Sequence, residues 1–219
     1  MRKQLTAITV IVLLMAAALP ALADSVTLGD RYFQRAWRVY VTRNNAKAIE
    51  YFKGSAKAYG EALTQEPRGR TMNFQSSLDK AGIAMYFAGE YDLCIKTLNE
   101  AMGDKDKIWD AALFIALAQG RKGDQEATLK AFDKFLDANS SQRLITSEMA
   151  RVLPGVKQGT IALKDAIDAI EKETQHQFVE NVARYNGRPG LIPATDACGG
   201  AYWWRKNSTP CTRNALRFE

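Results

Sequence analysis

The sequence has few of the residues on which metal and covalent-cofactor chemistry depends. Its 219 residues include one histidine, His176, three cysteines and six prolines. No Cys-x-x-Cys-His sequence occurs, which excludes a c-type haem, and a single histidine excludes a histidine-rich metal site. Phosphate-binding loops, nucleophile elbows and metal-ligand spacings are also absent. We therefore expect no cofactor, no metal and no catalytic residue. A carboxylate-only hydrolase stays open as an alternative, which would need a titratable cluster in a cleft.

The overall composition is that of an ordinary globular chain. Hydrophobic residues make up 47% of the sequence and charged residues 25%. These shares are typical of folded soluble domains and exclude a disordered, collagen-like or multi-pass membrane protein. The length fits one domain, or two small ones, together with a targeting segment.

Residues 1–23 have the three parts of a secretory signal peptide. A basic start at Arg2 and Lys3 precedes an apolar run, and small residues at positions 21 and 23 follow Pro20. The apolar run is shorter than the roughly 20 residues that span a bilayer. We expect cleavage after Ala23 and a periplasmic or secreted protein with no stable membrane span. The alternative is an uncleaved N-terminal anchor.

The positive charge is concentrated at the end of the sequence. The chain carries 30 basic and 24 acidic residues, and removal of the signal reduces the basic count to 28. The remaining excess of four lies within residues 184–219, so residues 24–183 are neutral. A neutral body gives no support for a nucleic-acid partner.

Two segments in the neutral part share a pattern at an offset of 34 residues. The first reads Leu78-x-x-Ala81-Gly82, Gly89-Glu90-Tyr91 and Cys94-Ile95-x-x-Leu98-x-x-Ala101, and the second reads Ala112-x-x-Ile115-Ala116, Gly123-Asp124-Gln125 and Thr128-Leu129-x-x-Phe132-x-x-Phe135. A weaker unit precedes them, with Tyr32-x-x-Arg35-Ala36 and Ala48-Ile49-x-x-Phe52. The small residues allow close helix packing, and each glycine with its acidic neighbour predicts a turn between two helices. An antiparallel helical bundle is the alternative.

These segments resemble the tetratricopeptide repeat (TPR) family over residues 29–139. None of the units has the closing proline of the family pattern, and Cys94 and Thr128 stand where alanine is usual. The resemblance implies an all-α superhelix of about three helix pairs within residues 24–139. Part of the longer spacing after the first unit is expected to extend its second helix, with residues 65–70 as a linker.

The resemblance also implies a concave groove that binds a peptide or partner segment. The positions that face the groove in the family correspond here to Phe33, Trp37, Tyr40, Asp79, Ile83, Tyr86, Asp110, Leu113 and Arg121. Aromatic side chains beside mixed charges suit an apolar anchor with polar orientation. The alternative is that Trp37 and Tyr86 merely pack between helices.

Two C-terminal helices are predicted within residues 140–185 as a cap on the repeats. Ser140 or Ser141 is expected to cap a helix over residues 142–153 that ends at Pro154-Gly155. A longer helix is expected over residues 157–185. Its apolar stripe consists of Leu163, Ile167, Ile170, Thr174, Phe178, Val182 and Tyr185. His176 lies off this stripe and is interpreted as a surface residue.

Residues 186–219 form a basic, aromatic tail. Cys198 and Cys211 are expected to form a disulfide because an exported chain enters an oxidising compartment. Cys94 is then left as a buried, inert thiol. The segment Tyr202-Trp203-Trp204-Arg205-Lys206 predicts either docking of the tail onto the helices or binding of a ligand.

These patterns together predict a protein-interaction scaffold of the cell envelope. Its partner is expected to be an envelope protein or peptide that binds in the helical groove. The alternative partner is a cell-wall glycan that binds the tryptophan-rich tail.

Overall fold

Helices make up nearly all of the chain that the structure describes. The structure is a computed structural model that describes residues 25–103, 108–138 and 142–187. These residues form eight α-helices and one short 3-10 helix, and they contain no strand. The prediction of an all-α fold is therefore confirmed.

The helices follow one another with short connections. They are α1 (residues 25–40), α2 (Asn45–Thr64), α3 (Gln75–Ala88), α4 (Tyr91–Met102), α5 (Trp109–Lys122), α6 (Gln125–Asp137), α7 (Arg143–Lys157) and α8 (Leu163–Gly187), with the 3-10 helix at Arg70–Asn73. Consecutive helices pack as pairs, α3 with α4, α5 with α6 and α7 with α8. In the first pair, the Ser55 hydroxyl of α2 donates a hydrogen bond to the Gly29 carbonyl of α1.

The turns inside the second and third pairs have the same geometry. Gly89 and Gly123 both have a φ of 83°, a left-handed conformation that favours glycine. In each turn the amides of the glycine and of the acidic residue after it donate to carbonyls in the last turn of the preceding helix. These are the bonds of a Schellman-type helix end. The turns predicted at these two glycines are therefore confirmed.

Two other glycines allow helices to approach closely. A Cβ atom on Gly82 of α3 would lie 2.4 Å from the side chain of Leu98 on α4. A Cβ atom on Gly120 of α5 would lie 2.3 Å from the side chain of Ile167 on α8. No side chain larger than hydrogen fits at either position without movement of its neighbour.

The extra residues after the first pair lengthen α2, as predicted. This helix has 20 residues, whereas α4 has 12 and α6 has 13. It ends at Thr64, and the chain then continues to the 3-10 helix that begins at Arg70. The expected linker at residues 65–70 thus matches the structure except for its last residue.

The predicted end of α7 and the predicted start of α8 are wrong. Helix α7 continues through Pro154 to Lys157. The proline removes only one backbone N–H donor, and the Pro154 carbonyl still accepts a hydrogen bond from the amide of Gln158. Helix α8 begins at Leu163 instead of residue 157, since Gly159 adopts a φ of 72° in the intervening turn. The N-terminal cap position of α7 is Gln142, and the predicted capping serines lie outside the described residues.

Within the described residues, none of the helices has the length and apolar character needed to cross a membrane.

Candidate functional site

The predicted groove residues lie in the interior of the structure. Eight of the nine are buried, and only Arg121 is partly exposed. The eight buried side chains belong to Phe33, Trp37, Tyr40, Asp79, Ile83, Tyr86, Asp110 and Leu113. They occupy α1, α3 and α5, the first helices of the three pairs. Helix α8 contacts these same three helices, so part of this face is covered by the chain itself.

The C-terminal half of α8 is held by aromatic residues. The ring of Phe178 lies 4.8 Å from the ring of Trp37 on α1 and 6.2 Å from that of Trp109 on α5. One turn earlier, the side-chain amide of Gln175 donates to the backbone carbonyl of Tyr40 over 2.9 Å. Phe178 is 4% exposed, so its burial joins α8 to both the first and the third helix pair.

A carboxylate of α8 binds to two predicted groove residues. Glu171 accepts a 2.8 Å hydrogen bond from Nε of Arg121 and a further bond from Nη2, which makes the pair bidentate. The Tyr86 hydroxyl donates to the same carboxylate. Nη1 of Arg121 also lies 2.7 Å from Asp168, which is on α8 as well. Arg121 therefore holds two carboxylates of the helix that covers it.

The pKa values in this cluster favour a charged arginine and a neutral tyrosine. Burial, together with the nearby charge of Glu171, holds the pKa of Tyr86 well above its usual value. The hydrogen bond to Glu171 is the main reason that the pKa of Arg121 is raised. The arginine thus stays protonated, and the tyrosine keeps the proton that it donates.

Helix α8 contacts helices of all three pairs. It packs against α7 and α5, and it reaches back to Trp37 on α1 and Tyr86 on α3. Of its predicted apolar stripe, Ile167, Ile170, Thr174 and Phe178 are buried. Val182 and Tyr185 lie where side chains are not described.

A cavity of about 440 Å³ remains open beside α8. Its apolar wall consists of aromatic side chains that also contact one another, Tyr40, Tyr86, Phe87, Tyr91 and Phe114. Ile49 lies at the cavity with 39% of its surface exposed. Concave sites with apolar walls and a few polar groups are the usual binding sites for side chains and small molecules.

The polar wall of the cavity carries balanced charge. Two cations, Arg121 and Lys172, and two carboxylates, Asp168 and Glu171, line it. Arg121 is already paired with both carboxylates. The cavity thus offers no net charge to attract an ion, and its aromatic wall is its main recognition feature.

Asp79 and Asp110 form a second group of interest, inside the core. Each is 1% exposed, and their carboxyls interact across α3 and α5. Within the described chain, no N–H donor reaches either oxygen of Asp79. Burial raises the pKa of Asp110 to about 7, and burial and Asp110 hold that of Asp79 well above its usual value. A protonated carboxyl can donate to its neighbour, so the pair retains at least one proton at neutral pH.

This carboxyl pair lies away from the cavity, since neither residue lines it. The family resemblance predicted a groove-facing position for both residues, but nothing in the sequence indicated that their carboxyls would interact. The described residues contain no group of three or more His, Cys, Asp or Glu side chains that could hold a metal ion.

The remaining described candidates are ordinary structural residues. His176 is partly exposed, and its Nδ1 lies 3.2 Å from the carboxylate of Glu173 on the same helix, a partner that the sequence did not reveal. Cys94 is fully buried, as predicted, with its Sγ 4.0 Å from the Phe114 carbonyl. Burial is the main reason that the pKa of this thiol is raised.

Several predicted features fall outside the described residues. These are the signal peptide over residues 1–23, the Cys198–Cys211 disulfide and the tail cluster Tyr202, Trp203, Trp204, Arg205 and Lys206.

Sequence reasoning missed several residues that build the site, among them the aromatic residues Phe87, Tyr91 and Phe114 and the carboxylate Glu171. Phe87 and Tyr91 flank the predicted turn at Gly89, and Glu171 lies four residues after Ile167 on α8. The adjacency of Phe87 to Tyr86 was a usable signal for the aromatic wall. Nothing local to Glu171 indicated a partner that is 50 residues away in sequence.

Comparisons of the chain with known protein families, with curated proteins and with solved structures found no match.

Proposed function

We propose that this protein is an exported interaction module that binds a segment of an envelope protein on the face covered in part by α8. The proposal includes a TPR-like arrangement of the three helix pairs. Support comes from the 34-residue spacing of Gly89 and Gly123 and from their identical turn geometry. It also comes from the alignment of three predicted groove residues, Tyr40, Tyr86 and Arg121, along a single cavity.

The cavity beside α8 is the observation that carries the proposal. Its volume of about 440 Å³ is enough for one or two large side chains. Five aromatic rings form one wall, and the four charged groups of the other wall sum to zero. An uncharged, apolar side chain is therefore the best match, with the polar groups available to orient the backbone that carries it.

The occupant that we propose is a partner segment that inserts a large apolar or aromatic side chain. Ile49 and Tyr91 border the cavity without being fully buried, so an incoming side chain can contact both. Burial of one such side chain contributes about 1.5–3 kcal/mol. The anchor thus supplies a substantial part of the affinity of a transient complex.

Site-specific photo-crosslinking tests this function. A photoreactive phenylalanine analogue at Ile49 places the reactive group at the cavity, and the same analogue at Leu93 is the control. Leu93 has a similar exposure, 48%, but lies on α4 and does not line the cavity. In intact cells we expect position 49 to form adducts with one recurrent segment of an envelope protein and position 93 to form none. Equal adducts from both positions, or none from position 49, would contradict the proposal.

Trp37, Tyr40 and Tyr86 are unsuitable positions for this test. All three are buried with at most 6% of their surface exposed. Their truncation would create cavities in the core and lower stability by several kcal/mol, which would obscure an effect on binding.

A second candidate function is binding of cell-wall glycan by the tail. It is favoured by the location of the whole basic excess within residues 184–219, beside Trp203 and Trp204. Aromatic rings stack on sugars, and the cations suit an anionic wall polymer. Deletion of residues 188–219 should then abolish retention by purified cell wall. Unchanged retention would remove this candidate.

A further inference from the structure

Helix α8 covers the face that the proposed partner must reach. Its contacts therefore show which chemistry that face already binds. An aromatic ring, Phe178, lies against Trp37 and Trp109, and a carboxylate, Glu171, binds Arg121 and Tyr86. Glu171 and Phe178 are seven residues apart, which is two helical turns or about 10 Å along the helix axis.

The two contacts together define a pattern that a second helix could present. An amphipathic helix with a carboxylate and an aromatic residue two turns apart would offer the same groups to the same groove residues. Helix-in-groove recognition depends on such spaced anchors along one helical face. The positive charge of Arg121 favours a carboxylate at the position of Glu171, because the Arg121 guanidinium binds that carboxylate through two N–H groups.

The contacts of α8 with the other helices are weak enough for another helix to replace α8. The ion pairs of Arg121 are only partly buried, with 24% of the Arg121 side chain and 29% of that of Glu171 exposed. Partly exposed ion pairs contribute modestly to stability and are weakened by salt. The buried face of α8 also includes three polar residues, Thr174, Gln177 and Asn181. This face therefore gains less from apolar burial than a uniformly hydrophobic helix would.

A competing helix from another molecule must overcome the advantage that α8 has because it belongs to the same chain as the helices that it contacts. A short tether gives α8 an effective concentration in the millimolar range. A competitor with identical contacts would therefore bind weakly. However, α8 leaves the adjacent cavity unfilled, because every residue that it presents there is polar. These residues are Asp168, Glu171, Lys172, Thr174 and Gln175, and Lys172 is the exposed one among them. A competitor with a large apolar residue in that position would fill the cavity and gain what α8 lacks.

We infer that the partner segment is an amphipathic helix with a carboxylate and an aromatic residue two turns apart, which places an apolar side chain in the cavity and displaces α8. This inference rests on the proposed function and names its partner class. In the free protein, α8 then acts as an internal competitor for the groove.

Three synthetic peptides test the inference on the full chain. The first has the sequence Leu163–Gly187, and the second carries Lys172→Leu. The third carries Lys172→Leu with Glu171→Gln and Phe178→Ala. Binding of fluorescein-labelled peptides is measured by anisotropy. We expect the second peptide to bind at least about tenfold more tightly than the first, because it buries one leucine side chain. The third should lose at least about tenfold relative to the second.

Two protein variants provide a matched comparison. Glu171→Gln weakens the hold of Arg121 on α8, so it should bind the first two peptides about fivefold more tightly than the unaltered chain. Asp92→Asn removes an ion pair of the adjacent Lys122 with α4 and leaves α8 untouched, so it should change neither affinity. If Glu171→Gln does not fold, as judged by circular dichroism, the three peptides and the unaltered chain still decide the outcome.

Hydrogen exchange of the α8 amides separates this inference from the proposed function. Binding of the second peptide should expose those amides at least about tenfold more than in the free protein. If the Ile49 crosslinks form but α8 stays protected, the inference is wrong and the proposed function stands. If the second peptide binds no more tightly than the first, the inference is also wrong. Failure of the Ile49 crosslinks contradicts the proposed function itself.

Discussion

The carboxyls of Asp79 and Asp110 lie against each other in the core, between α3 and α5. Both side chains are 1% exposed, and neither oxygen of Asp79 accepts a hydrogen bond from an N–H donor among the described residues. The pKa of Asp79 is raised overall, although the charge of the neighbouring Lys80 acts in the opposite direction. Lys80 is itself paired with Asp30 on α1. Burial and the neighbouring carboxyl of Asp110 therefore favour the protonated form of Asp79.

The first prediction is that stability falls as the pH rises from about 4 toward 7 and above. Burial raises the pKa of Asp110 to about 7 in the folded state and raises that of Asp79 as well. An unfolded aspartate has a pKa of about 3.9, so above that pH the folded state holds more protons than the unfolded state. Each retained proton lowers the unfolding free energy by about 1.4 kcal/mol per pH unit. Urea denaturation between pH 4.5 and 8.5 measures the slope.

Asp79→Asn provides the control for this prediction. It removes one buried carboxyl and keeps a side chain that can donate to Asp110, so the slope should become smaller and stability at pH 8 should rise. A slope that is the same in the variant and in the original chain would show that the pair does not cause the pH dependence.

The second prediction concerns the close approach of α5 and α8. Gly120→Ala places a Cβ atom 2.3 Å from Ile167, so we expect a loss of about 1–3 kcal/mol in unfolding free energy. Gly60→Ala on α2 is the matched control, because a Cβ there meets no atom within 4 Å. It should stabilise the protein by about 0.5–1 kcal/mol through helix propensity. Equal effects of the two substitutions would contradict the tight contact.

The third prediction tests the docking of α8 through its aromatic residue. Phe178→Ala should lower the unfolding free energy by about 3–5 kcal/mol, since Phe178 is 4% exposed and packs on two tryptophans. Phe74→Ala changes a ring that is 50% exposed, and we expect less than about 1 kcal/mol. Denaturation monitored by tryptophan fluorescence compares the two. Similar losses would mean that α8 is not anchored at this position.

The fourth prediction is that Cys94 is unreactive in the folded protein. Its side chain is fully buried and burial raises its pKa, so little thiolate forms and reagents cannot reach it. In a variant with Cys198→Ser and Cys211→Ser, a thiol reagent should label Cys94 only after denaturation. Labelling at a comparable rate in the native state would contradict this burial.

Features with a local cause were predictable. The turns at Gly89 and Gly123 follow from a residue that tolerates positive φ at the end of a helical pattern. The predicted end of α7 was wrong because proline usually ends a helix, and we expected Pro154 to do so. A proline in the last turn removes only one hydrogen bond, so α7 continues to Lys157. The buried state of Cys94 followed from its repeat position.

The sequence by itself determined the all-α fold, the helix pairs and their turns, because helical periodicity and glycine conformations act over a few residues. Only the tertiary structure decided that Arg121 binds Glu171, that Asp79 meets Asp110 and that an aromatic cavity stays open beside α8. Helical periodicity marks which residues are buried, but their partners depend on how helices distant in sequence pack. For the same reason, the repeat pattern did not reveal that α8 packs against the predicted groove positions on α1, α3 and α5.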